Sequence, residues 1–194
     1  MKVKDLGDGA LLLFDARTPK IRVLGAWLDA FHVSLQHCYE RSVDHFQVRL
    51  AIHAGEVTPS LGDHSGADLD FTVRLTDAPI AKLVLARTPS ASLAVVVSDI
   101  VYRQVVRHSA PSIDSTGYTA IAVQVKETNT SAWLHLPGWA SVPLPQELGA
   151  ASSGTPAVGA DVPERITVKG NVGIIGATTG AGPFNFYSSS GDNE

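Results

Sequence analysis

Apolar residues recur along this chain with different periods, which separate predicted strands from predicted helices. Two short apolar runs flank a Gly-Asp-Gly sequence near the amino terminus, so residues 3–14 are predicted to form a β-hairpin with Asp8 at its tip. Residues 46–54 alternate between apolar and polar, which predicts a strand with one buried face and a solvated His53. Residues 93–97 are continuously apolar and rich in valine, which predicts a strand buried on both faces.

A helical period covers residues 19–41, where apolar side chains recur at spacings of three and four. The stripe consists of Leu24, Trp27, Leu28, Phe31, Leu35 and Cys38. A stripe of this width predicts an amphipathic helix that packs on a sheet, with the aromatic residues in the core rather than in a ligand site. Cys38 is then expected to be a small buried apolar residue.

Three shorter helices and a second hairpin complete the predicted elements. The helices are predicted at residues 68–74, 80–87 and 99–108. Gly66 opens the first of these, and Ser98 is predicted to cap the last. The closing hairpin is predicted to join strands 120–126 and 132–136 through a polar turn. This mixture of strands and helices predicts an α+β fold in which helices layer a sheet.

Composition divides the chain into three parts. Residues 1–137 form the predicted folded domain, and residues 138–164 are rich in proline, alanine, glycine and serine without apolar periodicity, which is typical of a flexible linker. Residues 165–194 form a glycine-rich tail that contains β-prone runs. Two interpretations of the tail stay open: an edge strand or hairpin on a partner, and an unstructured end.

The overall composition restricts the class of protein. The chain has 194 residues, is 44% hydrophobic and has a formal net charge of -4, which excludes wholesale disorder and argues against nucleic acid as a partner. Its single cysteine cannot form an internal disulfide, which favours a reducing cytoplasm. No run approaches the roughly 18–20 apolar residues of a membrane span, and no signal sequence is apparent. We expect a cytoplasmic protein without a membrane span.

Two common kinds of active site have no support in the sequence. The seven histidines do not form close ligand pairs with cysteine or glutamate in a zinc pattern. The Gly-x-Ser-x-Gly sequence of a nucleophile elbow is also missing.

Three motifs, in order, resemble the class III nucleotidyl cyclase domain. They are Lys4-Asp5-Leu6-Gly7-Asp8-Gly9, residues 49–57 and residues 62–75. Residues 96–102 and 125–126 resemble later elements of the same family, so the likeness covers about residues 3–137. The resemblance implies a ferredoxin-like sheet layered with helices, and a reaction that converts a nucleoside triphosphate into a cyclic nucleotide and pyrophosphate.

The resemblance also implies roles for individual residues. Asp8 corresponds to a metal-binding aspartate, which would hold Mg²⁺ or Mn²⁺. Lys4 and Asp63 correspond to the pair that recognises the base. Arg74 corresponds to the arginine that meets charge developing on the α-phosphate, and Lys126 to a lysine that contacts the outer phosphates. The family's architecture implies a head-to-tail dimer, or pairing with another cyclase-like chain, with the sites at the seam.

Two departures from the family lead us to expect little or no cyclase activity from this chain alone. The family begins with a strand that carries another metal-binding aspartate and with helices, whereas here Met1 lies just before the hairpin. We therefore expect the first strand and its helices to be missing, unless the true start lies upstream. The second departure is Asp70, a catalytic-site position where the family usually has asparagine, because a carboxylate there adds negative charge to an anionic reaction. A noncatalytic signalling module that binds a nucleotide or a partner is the alternative.

Overall fold

A computed structural model describes the chain over residues 1–41, 46–60, 63–109, 111–144 and 171–179. Residues 60, 63 and 171–179 are described by their backbone alone. Within these ranges the fold is α+β, as predicted, with a mixed sheet layered by helices.

The amino-terminal hairpin forms as predicted. Strand β1 (Lys2–Asp5) pairs antiparallel with β2 (Gly9–Phe14). Gly7 has a φ of 91°, and the Asp5 carboxylate accepts a hydrogen bond of 2.7 Å from the Gly7 N–H. The turn therefore leaves Asp8 exposed at the tip.

The main sheet has seven strands among the described residues. Besides the hairpin they are β3 (Gln47–Gly55), β6 (Leu93–Ser98), β7 (Tyr118–Val125), β8 (Thr128–His135) and β9 (Asn171–Thr179). Their spatial order is β1-β2-β9-β3-β6-β8-β7, and only β3 and β6 are neighbours in parallel orientation. A separate two-stranded ribbon follows β3 and consists of β4 (Thr58–Ser60) and β5 (Asp63–Ser65).

One face of the sheet is covered by the long helical segment that the sequence predicted. It comprises α1 (Lys20–Arg22), a kinked turn (Val23–Trp27) and α2 (Leu28–Arg41). The buried side chains of Leu24, Leu28 and Leu35 belong to one core cluster with Leu50 and Val95 of the sheet. This confirms most of the predicted stripe. Cys38, however, is exposed, so the prediction that it is buried is wrong. It lies beyond Leu35, which is the last buried residue of the helix.

The other face is covered by α3 (Ala67–Thr76) and α4 (Pro79–Arg87), which lie close to the predicted helices. Leu75 and Val84 from these helices share a second core cluster with Val96 and Leu134 of the sheet.

Strand β3 corrects the prediction of a half-solvated strand. Every residue from Val48 to Gly55 is buried, and His53 is only 7% exposed. Helices cover both faces of the sheet and neighbouring strands cover both edges of β3, so its polar side chains are enclosed as well.

The helix predicted after β6 is shorter than expected. Helix α5 covers Asp99–Gln104, Val105 departs from helical geometry, and a 3₁₀ turn covers Val106–His108. Ser98 occupies the cap position but makes no side-chain cap, because its hydroxyl bonds to His53.

The carboxyl-terminal elements also differ from the prediction. The β7–β8 turn is tight, with Lys126 at a φ of 51°, so both strands are longer than expected. The core extends beyond residue 137, since Val142 is 7% exposed. Strand β9, from the predicted tail, lies inside the chain's own sheet between β2 and β3, rather than at an edge. Most of the predicted linker and the rest of the tail lie outside the described residues. Among those described, no helix is long and apolar enough to cross a membrane.

Candidate functional site

The site residues predicted from the sequence lie mainly on two hairpins at opposite edges of the sheet. Lys4 and Asp8 belong to the β1–β2 hairpin, and Lys126 to the β7–β8 turn. Asp8 directly precedes Gly9. Gly9 is opposite Ala177 of β9, and Ala177 is opposite Arg49 near the start of β3. The β7–β8 turn instead projects beyond the end of β6. In one chain, the two groups lie at opposite ends as well as opposite edges of the sheet.

Arg74 lies with the second group. From α3 its guanidinium donates a hydrogen bond of 3.0 Å to the Thr128 hydroxyl and forms an ion pair with Glu127. The pKa of the Glu127 carboxyl is lowered by its own backbone N–H and by the charge of Arg74. The structure therefore joins Arg74 to the turn that carries Lys126, and the guanidinium of Arg74 already has a carboxylate partner, Glu127.

The remaining predicted residues lie elsewhere. Asp70 is exposed on α3, one helical turn before Arg74. Asp63 belongs to β5, beyond the end of β3 and so away from Asp8, and its side chain is not among those described. Lys4 is exposed on the edge strand β1. Within one chain, Lys4 and Asp63 are thus on separate elements, and the structure does not bring them together as a base-reading pair.

Arg49 is a functional candidate that the sequence reasoning missed. It is 6% exposed, and its Nε donates a hydrogen bond of 3.1 Å to the Thr76 carbonyl. Its Nη1 is buried and has no hydrogen-bond partner among the described residues. Burial lowers the pKa of Arg49, while the carboxylates of Asp77 and Asp8 act in the opposite direction. A buried, incompletely bonded guanidinium beside the Asp8 turn is suited to bind an anion.

A signal for Arg49 was available in the sequence. It is a permanent charge inside the run Val48-Arg49-Leu50-Ala51-Ile52, which otherwise consists of apolar residues. The period of two assigned it to a solvated face, and that assumption concealed it.

The residues near Asp8 fit a metal ion that takes most of its ligands from a substrate. Asp5, the neighbouring carboxylate, already accepts the Gly7 N–H. The described residues contain no group of three or more histidine, cysteine, aspartate or glutamate side chains arranged to hold a metal. At this level of the sheet β9 contributes Ala177, Thr178 and Thr179, none of which is acidic. Mg²⁺ is often held by one carboxylate together with phosphate oxygens and water, so Asp8 fits one such ion but not a two-metal site.

A second polar cluster connects β3, β6 and α3 inside the protein. His53 Nδ1 lies 2.9 Å from the Ser98 hydroxyl, and its Nε2 lies 3.3 Å from Asp68 Oδ1. The other oxygen of Asp68 accepts the Glu56 N–H at 2.7 Å. Ser98 is 1% exposed, so no substrate reaches it, and the cluster is structural rather than a hydrolase triad. Burial lowers the pKa of His53, and Asp68 opposes this shift.

Comparisons with known proteins do not assign a family. A scan against protein-family models found no match, and searches of curated proteins and of solved structures found none either. The resemblance to the cyclases therefore depends on the motifs and on what the geometry adds to them.

Proposed function

We propose that this chain is a class III nucleotidyl cyclase-like domain that binds a nucleoside triphosphate together with Mg²⁺ or Mn²⁺. The observation that carries the proposal is the buried guanidinium of Arg49, which lacks a partner for Nη1 among the described residues and is level with the Asp8 turn. The charge of this guanidinium would attract a metal-held triphosphate at the Asp8 turn, and the low-dielectric surroundings would strengthen the interaction.

Each charged group has a distinct role in this proposal. Asp8 binds the metal ion, which supplies positive charge to the phosphates. Arg49 attracts the outer phosphates through its positive charge, since its Nη1 is enclosed by protein atoms in this structure. Lys126 lies at the other end of the sheet and Arg74 is paired with the turn that carries it, so both act in the site of a second copy in a head-to-tail dimer. Helix α3 also places Arg74 two residues before Thr76, whose carbonyl accepts from Arg49.

The strand order supports the fold that the resemblance implies. In a ferredoxin-like sheet the first strand lies between the third and the fourth. Strand β9 lies between β2 and β3, and is antiparallel to both. Taking β9 as the first strand of such a unit gives the ferredoxin-like order for β1, β2, β9 and β3.

Three features favour weak or no catalysis by this chain alone. Strand β9 brings no carboxylate beside Asp8, so a second metal ion has no acidic ligand there. Glu127 competes with phosphate for Arg74. Asp70 adds negative charge on α3, in the position that the family usually fills with asparagine.

The binding proposal is tested by titrating the full chain with a nonhydrolysable nucleoside triphosphate analogue and Mn²⁺ in a calorimeter. Arg49→Met should weaken binding by about tenfold or more, because it removes a buried charged donor. The matched control is Arg17→Met, since Arg17 pairs with Asp15 on the surface. Equal affinities of Arg49→Met and wild type would refute the phosphate role.

The alternative is a noncatalytic module that binds a nucleotide or a partner. It is favoured by the lack, among the described residues, of a cluster of three or more potential metal ligands, and by the Arg74–Glu127 ion pair. The cyclase-like domain predicts that nucleotide and Mn²⁺ raise the melting temperature, whereas a module that binds only a partner predicts no such rise. They differ in product formation. We expect little or no cyclic nucleotide from the purified chain with Mn²⁺ and each nucleoside triphosphate, and clear production would exclude the noncatalytic module.

A further inference from the structure

A cavity of about 220 Å³ lies on the α2 side of the sheet. Its lining includes neither Asp8 nor Arg49. Its apolar walls are Leu24 from the kinked turn, Leu28 from α2 and Ile113 from the loop before β7. Trp139, which follows β8 in the chain, forms part of the lining and is 38% exposed. The lining exposes more polar than apolar surface, so an occupant must carry a polar or charged group as well as an apolar part.

The polar groups of the cavity are mainly hydrogen-bond acceptors. Asp29 and Asp114 contribute carboxylates. Asp114 uses Oδ1 to accept from the N–H and hydroxyl of Thr116. His135 Nδ1 lies 2.9 Å from the Gly117 carbonyl, so Nδ1 carries the proton and Nε2 is left as an acceptor. A ligand that matches this lining must be a donor.

Tyr118 contributes a further polar group to the cavity. It is 8% exposed, it lines the cavity, and its ring stacks on His135 with 4.5 Å between centroids. Its hydroxyl makes no hydrogen bond to any residue that the structure describes. The oxygen is not among the enclosed side-chain atoms that lack a partner, so it is accessible from the cavity and can bond to a ligand there.

The charge of the cavity at neutral pH is negative. Burial raises the pKa of Tyr118 and lowers the pKa of His135, so both side chains are neutral. The two carboxylates are then the charged groups among the lining residues, which contain no lysine or arginine. Such a cavity attracts cations and repels phosphates.

We propose that this cavity binds a small organic cation, with a primary ammonium or guanidinium group held by Asp29 and Asp114. The cation's apolar or aromatic body packs between the aliphatic wall and the rings of Tyr118 and Trp139. The ligand differs in charge from the nucleotide of the proposed function, so the two sites are tested separately.

The experiment titrates the full chain with tyramine and with agmatine, by calorimetry and by ligand-observed NMR. The neutral comparison is 4-ethylphenol, which keeps the ring of tyramine and lacks the ammonium. We expect saturable binding of at least one cation and none of the neutral phenol. Asp29→Asn and Asp114→Asn should each weaken binding by about tenfold, because each removes one of the two carboxylate charges that pair with the cation.

Controls make each result decisive. Asp15→Asn removes a surface carboxylate outside the cavity and should leave the affinity unchanged, and Tyr118→Phe, which removes only the hydroxyl, should weaken binding. The proposal is overturned if neither cation binds, if 4-ethylphenol binds as well as tyramine, or if the folded variants bind like wild type. The comparison of ligands on the wild-type chain stands even if a variant fails to fold.

Discussion

At the scale of single residues, burial changes the protonation of three histidines. Burial lowers the pKa of His32, His53 and His135 below the usual value of 6.5. Each ring is therefore neutral in the folded protein at pH 7, and His53 and His135 are held by the hydrogen bonds described above.

This arrangement predicts a stability that decreases in mild acid. As the pH falls below 6.5, the unfolded chain takes up protons that the folded chain resists, so the free energy of unfolding falls towards the lowered folded-state pKa values. Urea unfolding at pH 7.5 and pH 5.5 measures the difference, in a range where the carboxylates titrate little. His53→Gln should reduce the pH dependence. A free energy of unfolding that stays constant or rises on acidification would contradict the prediction.

The same residues show where sequence reasoning was sufficient and where it was not. Asp8 was placed correctly at a hairpin tip, because glycines on either side of an acid dictate a turn locally. His53 and Arg49 were assigned to solvent, because alternation reports two faces of a strand but not whether a helix covers each face. Whether a helix covers a face of β3 depends on contacts with α3, which is remote from His53 and Arg49 along the chain.

At the scale of elements, the helical segment is interrupted where it meets the loop before β7. Gly25 has φ -99° and ψ -107°, which is not helical. A Cβ at this position would lie 2.7 Å from the Ser112 hydroxyl oxygen and 3.2 Å from its Cβ. Apolar periodicity continues through the break, so the sequence predicted one uninterrupted helix; the contact with Ser112 is tertiary and leaves no local signal.

The contact predicts that Gly25→Ala destabilises the protein by about 1–3 kcal/mol, because the added methyl group overpacks the junction. Ser112→Gly removes the obstructing atoms and should recover part of that loss in the double variant. Thermal and urea unfolding of the four chains of this cycle gives the coupling energy. Additive effects, with no rescue, would show that Ser112 is not the obstacle.

At the scale of the whole molecule, the charged groups divide between two hairpins. The β1–β2 hairpin and the start of β3 contribute Asp8 and Arg49, and the β7–β8 hairpin contributes Lys126 and holds Arg74. A two-fold pairing of copies is needed if the Asp8 turn and the Lys126 turn are to contact one nucleotide. The sequence predicted this division only through the resemblance, since the register that separates the hairpins is set by pairing among distant strands.

The most direct test of the account mixes two defective chains. Arg49→Met and Arg74→Met should each lose high-affinity binding of a nonhydrolysable nucleoside triphosphate analogue with Mn²⁺. In a mixed dimer one site retains both arginines, so an equilibrated equimolar mixture should regain about a quarter of the wild-type binding capacity. Calorimetric stoichiometry measures this recovery. A mixture that binds no better than either variant alone would contradict a nucleotide site shared between copies.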